Sequence, residues 1–525
     1  MYSAPALKIV DQYGRGIPRA ALTSDFEGAA TGRRMNTWGT SSAGVNSTLF
    51  SSLNTLRSRS RELRRNNPLI DGGIDTYAAN IIGSGINPRW QMEDSGLKKE
   101  IQELWNDWVK ESDLLDINDF YGQQTLGVNA LIDAGEYLCR FITVGPGEYT
   151  AVPLKLQLLE ADHLDAAYSD IKNGNAVRMG IEIDQLGRRL AYWIWNEHPG
   201  EMYLFTVPNS TRIRVEKRDM VHVFKPVRIG QMRGRPWLAS IIVKIRELDQ
   251  YSDAELVRKK AAAMFGGFIY QELNYDQGAG NVLGIPTTAD PSIIALEPGT
   301  FPVLPLGKKV AFSEPADVGG SYEVWIKQQL REIAVGMGIT YEQLTTDLSG
   351  VNYSSIRAGL LEFRRRVKQL QYQIIIHQFC RPIAERWMDT AVLSGVLKIK
   401  DYYENRRKYL RIQWRPDGWD WVDPVKDQLA EQMAIRNGFK SRSQVVAERG
   451  SDIEIVDQEI SEDNQRADDA GLILDSDPRN TNASGAMQNA IEQINDEGDE
   501  PTSPQDGKKN KIKNVDPAKG GRSAL

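Results

Sequence analysis

The chain has 525 residues, 41% hydrophobic and 26% charged, which is enough for several domains with buried cores. Its formal net charge of -6 argues against a protein that wraps nucleic acid on a basic surface, but leaves room for a channel along which nucleic acid slides without sticking. Only two cysteines are present, Cys139 and Cys380, so a disulfide framework is excluded, a reducing compartment is expected, and each thiol reads as a small buried hydrophobe. Residues 1–15 lack the apolar core of a signal peptide, and no run approaches the roughly 18 apolar residues of a membrane span. A soluble, cytoplasmic chain with no membrane partner is the expectation.

Residues 1–54 are rich in Gly, Ser, Thr and Ala and read as a flexible arm. Organised structure is expected near Leu53, where Arg57-Ser-Arg-Ser-Arg-Glu-Leu-Arg-Arg-Asn-Asn-Pro leads into an apolar helix over 69–82. A helix over 97–111 places Ile101, Leu104, Trp105 and Trp108 on one face, and another over 119–134 has Asn118 and Asp119 as cap candidates. From 136 to 224 the period changes to two, and strands are expected at 137–142, 154–159, 176–183, 189–195, 202–207 and 220–224. Asn173-Gly174 and Leu186-Gly187 are turn sites, and the block reads as an α+β domain with a meandering sheet.

A long helix of mixed charge is expected over 236–265, then a Gly- and Pro-containing, β-rich insert over 266–320. A second amphipathic helix begins at Tyr322, with Trp325, Ile326, Leu330, Ile333 and Ala334 at helical spacing. The polar stretch from Gly338 to Ser355 interrupts it, and a third helix runs from about Ser354 to Arg381, with a kink or boundary at Pro382. Two readings of this region stand side by side: an ordinary helix–loop–helix with a solvated Arg face, or a mobile loop held beside a polyanion. Further on, 409–416 reads as a strand, 424–436 as a helix ended by Asn437-Gly438, and 442–449 as a helix capped by Ser441. Residues 452–470 are acidic and helix-compatible, and 474–525 read as a disordered tail.

Signatures of catalysis are missing from the sequence. The four histidines, His163, His198, His222 and His377, show no metal-ligand spacing, and there is no Cys-x-x-Cys, no Gly-x-Ser-x-Gly elbow and no phosphate-binding lysine loop. Gly278-Ala-Gly280-Asn-Val-Leu-Gly284 has the wrong spacing for a dinucleotide loop. No catalytic residue, cofactor or metal is therefore assigned. A nucleic-acid-processing enzyme would need a metal-binding cluster that the sequence does not display.

Three segments, taken in order, carry a resemblance. They are Phe224-Lys-Pro-Val-Arg-Ile-Gly-Gln-Met-Arg-Gly-Arg-Pro-Trp, then Gly338-Ile-Thr-Tyr-Glu-Gln-Leu with Asn352-Tyr-Ser-Ser-Ile-Arg-Ala, then Trp414-Arg-Pro with Trp421-Val-Asp-Pro and Asn437-Gly438. Over roughly 55–470 the chain resembles the lambda-type portal proteins of tailed bacteriophages. The resemblance implies a ring-forming α+β portal fold with a wing, stem helices, a β-rich clip, a tunnel helix and a helical crown. It assigns 55–233 to the wing, 234–265 and 321–343 to stem helices, and 266–320 to the clip. Residues 344–353 become the tunnel loop, 354–390 the tunnel helix, 391–424 a return to the wing, 425–473 crown-like helices and 474–525 the tail.

The same resemblance implies a non-enzymatic ring of about twelve subunits at one capsid vertex, present in the virion and assembled in the host cytoplasm. Double-stranded DNA would pass through it without sequence specificity, and its protein partners would be the terminase large subunit, the major capsid or scaffold protein and head–tail adaptors. Thr345, Thr346, Asp347, Ser349, Gly350 and Asn352 in the loop, with Arg357, Arg364, Arg365 and Lys368 on the helix, become channel candidates. Helical spacing puts Arg357, Leu361, Arg364 and Arg365 roughly on one stripe with Arg366 elsewhere, and braces between subunits are at least as natural a use of these side chains as phosphate contacts. A smaller ring-forming head–tail connector or adaptor is the alternative.

Overall fold

The computed structural model describes residues 39, 41–145, 147–201, 211–264, 321–419 and 424–472, with residues 474 and 479. The expected strand at 202–207, the β-rich insert 266–320, Trp421, and most of the N-terminal arm and the tail lie outside the described residues. The chain divides into two units, Met1–Pro424 and Val425–Leu525.

The first unit opens with α1 (Val45–Asn66), which starts inside the segment expected to be a flexible arm. Leu49, Leu53, Arg57, Ser60 and Leu63 form its buried stripe, so the apolar spacing needed for a helix was already present upstream of Leu53. Asn67 breaks the chain, and its side chain caps α2 (Pro68–Ile82), which has proline in its first turn. Next come β1 (Asn87–Trp90), α3 (Ser95–Glu111) capped by Asp94, and α4 (Phe120–Asp133) capped by Asp119.

Two antiparallel sheets follow. The first orders β3 (Leu154–Glu160), β2 (Glu136–Thr143) and β9 (Met220–Phe224). The second is a meander of β4 (Asp170–Lys172), β5 (Asn175–Arg178), β6 (Ile181–Ile183), β7 (Arg189–Trp195) and β8 (Arg212–Glu216). Asn173-Gly174 makes the expected turn, both residues having positive φ. The single strand expected over 176–183 is in fact a hairpin: Met179 (φ 49°) and Gly180 (φ 79°) reverse the chain between β5 and β6.

The long helices then assemble. α5 (Ile242–Met264) follows a short 3-10 turn at Trp237–Ser240, and α6 (Ser321–Met337) and α7 (Tyr341–Thr345) come next. α8 (Tyr353–Leu370), a π-helical stretch Gln371–Cys380 and α9 (Arg381–Leu393) are continuous, with helical backbone angles at both junctions. Of the kink or boundary expected at Pro382, the boundary is absent: the helix runs on through it. The π turns widen the helix just before it, where a proline ring would otherwise meet the carbonyl of the preceding turn. Side chains of the π stretch also complete other elements: Gln371 Nε2 donates to the Ile81 carbonyl at 2.8 Å, and Gln378 Oε1 accepts from the Phe224 amide at 3.0 Å. After α10 (Arg406–Tyr409), β10 (Ile412–Arg415) returns to pair with β1, Trp90 opposite Ile412 and Asn87 opposite Arg415.

The core is aromatic. Trp105 lies 4.9 Å from Trp108, 5.1 Å from Trp387, 5.3 Å from Phe120 and 5.6 Å from Trp90, between ring centroids, which knits α3, α4, α9 and β1 together. Cys139 and Cys380 are buried free thiols within it. Among the described residues no helix is long and apolar enough to cross a membrane.

Beside this core lies a buried ionic tie. Glu136, at the start of β2, accepts from Arg57 on α1 and, through Arg233 Nε, at 2.7 Å. Its other oxygen accepts from the Gly234 amide and lies 3.0 Å from His222 Nε2. Arg233 also donates to the carbonyls of Met179, Ala161 and Leu164 at 2.9, 3.2 and 3.1 Å, and Arg57 Nε donates to the Ala134 carbonyl at 3.1 Å. Burial alone would push the Glu136 carboxyl up, but Arg233, Arg57 and His222 hold it well below the usual range. Glycine is required on both sides: a Cβ on Gly135 (φ 90°) would lie 2.2 Å from the Arg235 carbonyl carbon, and one on Gly234 2.0 Å from the Gly135 oxygen. Met-Arg-Gly-Arg-Pro, read in the sequence only as part of a family likeness, is thus the segment that locks α1, two strands and the approach to α5.

The second unit holds α11 (Pro424–Arg436), α12 (Arg442–Glu448) and α13 (Ile453–Asp469). Gly438 (φ 73°) ends α11, Ser441 and Gln444 form a reciprocal capping box on α12, and Asp452 caps α13. Lys440 Nζ pairs with Glu431 at 3.1 Å and Glu448 at 2.7 Å, and Arg442 with Asp457 at 2.6 Å. Among the described residues of this unit only Asp452 and Ala467 are buried.

Candidate functional site

The loop and basic helix of residues 338–370 are assembled from the C-terminus of α6 outward. Tyr77 on α2 donates its hydroxyl to the carbonyls of Met337 and Gly338, at 3.0 and 2.9 Å, and Arg366 Nη1 donates to the Gly338 carbonyl at 2.7 Å. A guanidinium at a helix C-terminus also meets the negative end of the dipole. Arg366 is therefore an internal brace, which agrees with its place off the stripe of the other basic residues.

Past Gly338, Thr340 and Gln343 cap α7 reciprocally, and Leu344 is buried. Thr345 returns its hydroxyl to the Tyr341 carbonyl at 2.9 Å, and Thr346 takes the left-handed conformation at φ 56°. Asp347 then organises the turn: one oxygen accepts from the Ser349 hydroxyl at 2.6 Å and its amide at 3.0 Å, the other from Tyr341 at 3.1 Å. The Ser349 hydroxyl and amide, then Tyr341, hold the Asp347 carboxyl below its ordinary range, so it is ionised at neutral pH. Asn352 Oδ1 accepts from the Ser355 amide at 2.8 Å and caps α8. Of the six loop candidates, Thr345, Asp347, Ser349 and Asn352 thus define the shape of the turn, while Leu348, not among them, stands exposed at its tip.

On α8, Phe363, Val367 and Leu370 are buried at i, i+4 and i+7. At about 100° per residue, Arg364, Arg357, Lys368, Leu361 and Arg365 follow in that order around a wedge that runs from the edge of the core to the side opposite Phe363. Arg364 stacks over Trp419 at 5.6 Å, and Arg365 pairs with Glu362 at 3.0 Å on an exposed turn. Lys368 is exposed with no ion-pair partner among the described residues. The structure therefore gathers Arg357, Arg364, Arg365 and Lys368 along one side of the helix that begins at the ordered turn.

One group the sequence reading did not anticipate is Glu160, Asp162 and His198, whose ligand atoms lie within 4.8 Å of one another. Arg61 Nη2 sits 2.8 Å from Glu160 Oε2 and 2.6 Å from Asp162 Oδ2, so a guanidinium already fills the place of a cation. Arg61 on a polar helix face and Glu160-Ala-Asp162 at a strand end carry no local pattern that would have announced the pairing.

Residues 31–371 match the family model described as phage portal protein, lambda family. The chain is 30% identical over 464 residues to a probable portal protein of Halomonas phage phiHAP-1, covering 86% of this chain and 88% of that protein. It is 23% identical to the portal protein of Escherichia phage N15 and to portal protein B of Escherichia phage lambda, in each case over 84% of this chain and 89% of the relative. Among solved structures, a chain from the neck of a native gene transfer agent particle, computed with C12 symmetry, is 15% identical with a TM-score of 0.39, over 75% of this chain and 93% of that one. With the family model spanning more than half of its length, this chain belongs to the lambda family of phage portal proteins.

Proposed function

We propose that the chain is the subunit of a ring of about twelve copies at one vertex of a tailed-phage capsid, a structural conduit and not an enzyme. Double-stranded DNA enters through the ring during packaging by the terminase and leaves through it on ejection, and head–tail adaptor proteins dock on the same ring. Assembly takes place in the host cytoplasm with capsid or scaffold protein, and the ring stays in the virion. In this reading 55–233 and 391–424 form the wing, 234–265 and 321–343 the stem, and 266–320 the clip. Residues 344–353 and 354–390 form the tunnel loop and helix, 425–473 the crown, and 1–54 and 474–525 are terminal extensions.

The observation that carries the reading is the surface left on the stem helices. Val243, Leu256 and Val257 on α5 and Val324 and Val335 on α6 are exposed, a density of apolar side chains that a neighbouring copy in a head-to-tail ring contact would cover. The basic wedge of α8 supports a passage for a polyanion, since phosphate contacts position a duplex without reading its bases. Few such contacts are needed: each neutralised phosphate strengthens binding, and a chain of net charge -6 limits their number.

The test is complementation of a portal-null phage with Arg365→Glu and Lys368→Glu together. Both residues are exposed, so rings should assemble at the wild-type level. Packaged DNA per particle should fall by roughly tenfold, the order expected when a few phosphate contacts are lost. Normal packaging with both charges reversed would remove α8 from the DNA path.

A further inference from the structure

A cavity of about 490 Å³ lies between the sheet of β9 and the helix that contains Pro382. Its size falls within the roughly 300–1,000 Å³ of ligand pockets. Phe141, Met220, Val221, Phe224 and Pro382 give it an apolar floor. Five cationic side chains line it against two carboxylates, Glu385 and Asp389.

The carboxylates at and beside the cavity are already engaged. Arg406 holds Asp389 through two hydrogen bonds of 2.8 Å and lies 3.8 Å from Glu385. Asp219, beside the cavity, is held by Arg386 at 3.0 Å. That leaves two cations with no carboxylate partner among the described residues. Arg189 is fixed by neutral groups only: it donates to His222 Nδ1 at 2.9 Å and to the Met232 carbonyl at 3.0 Å, and its guanidinium lies 5.0 Å from the Phe224 ring centre. Lys217, on the short turn between β8 and β9, is exposed and has no ion-pair partner among the described residues. A third sign is the Nε–H of Arg386, which is buried and has no acceptor among the described residues. A buried donor without a partner is unfavourable, so an acceptor from outside is favoured here.

We propose that this cavity is a docking site for an acidic peptide segment of a partner protein, which places a carboxylate against Arg189 and Lys217 and an adjacent apolar side chain on the floor. The site is built for carboxylates on apolar neighbours: Arg189 is pre-positioned by neutral partners, and the floor is aromatic and aliphatic. A space of this size admits a few side chains, not a duplex, so a peptide is favoured over nucleic acid. The site lies apart from the basic wedge of α8 and does not depend on the assignment of the DNA path.

The test is a selection of random heptapeptides displayed on beads against the purified full-length protein, with counter-selection against Lys217→Glu. Lys217 makes no contact that the fold needs, and an unchanged melting temperature verifies that the variant is folded. Enriched sequences should carry Asp or Glu beside Phe, Leu or Met. A synthetic copy of the most enriched peptide should bind Lys217→Glu at least tenfold more weakly and should lose binding when its carboxylates are replaced by amides. Enrichment without acidic residues, equal binding to Lys217→Glu, or displacement of the peptide by a 20-base-pair duplex would each overturn the proposal.

Discussion

The two units of the chain are both rich in charged helices, yet they hold themselves together by different means. In the first, charges go inside: Glu136, Arg57, Arg233 and His222 form a fully enclosed tie beside a core with five buried tryptophans. In the second, charges stay outside: Lys440 with Glu431 and Glu448, and Arg442 with Asp457, link helices that bury two residues among those described. Val425, Leu429 and Met433 run along α11 at i, i+4 and i+8, and Phe439 follows at 81% exposure. The first unit has the interior of an independent domain, whereas the second is a set of well-capped helices whose apolar stripe has no cover among the described residues of its own unit.

This contrast predicts a steep ranking of substitutions. Glu136→Ala leaves two guanidinium groups buried without a counter-charge, and the first unit should lose about 3–5 kcal/mol in urea unfolding. A loss under about 1 kcal/mol would mean that water enters the tie and that it is not a closed site.

Acid should come next. Burial pushes His222 down to about 4, so the folded protein keeps it neutral while the unfolded chain protonates it near pH 6.5. Between those values the unfolded state binds more protons, so stability falls as pH falls, by an amount on the order of 1–3 kcal/mol. Glu136 adds to the loss only below its ordinary range, because its folded-state carboxyl is held well below it and its contribution disappears as the pH drops through that lowered value. Melting between pH 7 and 4.5 should therefore show a slope that His222→Gln flattens. An unchanged slope in that variant would assign the acid sensitivity elsewhere.

Smaller effects are expected in the second unit. Ser441→Ala removes the capping box of α12 and should cost about 1 kcal/mol locally, seen as faster amide exchange over 442–448 with no change in the melting of the first unit. Asp457→Ala removes a half-exposed pair with Arg442 and should cost roughly 0.5 kcal/mol or less. Equal costs for Asp457→Ala and Glu136→Ala would dissolve the distinction between the units.

The comparison also shows which features local sequence carries. Helices with a clean apolar period and a cap, such as α3 behind Asp94 and α12 behind Ser441, stand in the structure close to where spacing puts them. The Met179-Gly180 turn was missed because methionine is a poor marker of a left-handed position. The pairing of β1 with β10 joins residues far apart in the chain, and four-residue strands carry too little alternation to announce a partner. The ionic tie was illegible for the same reason: Arg57, Glu136, His222 and Arg233 come from four separate segments, and a charged residue reads as solvated until its partners are known. At the candidate site, the basic residues of α8 were legible as a stripe and Asp347, Ser349 and Asn352 as channel candidates, but local composition did not show that the hydrogen bonds of these three shape the turn.

The most direct test of the central claim is native mass spectrometry of the purified full-length protein, with electron microscopy of the same sample. The account predicts a closed ring of about twelve 59.0 kDa chains around an opening wide enough for a DNA duplex, with the amides of 425–472 better protected in the ring than in dissociated subunits. A protein that stays monomeric or dimeric across salt and concentration, or a closed ring too narrow for a duplex, would contradict it.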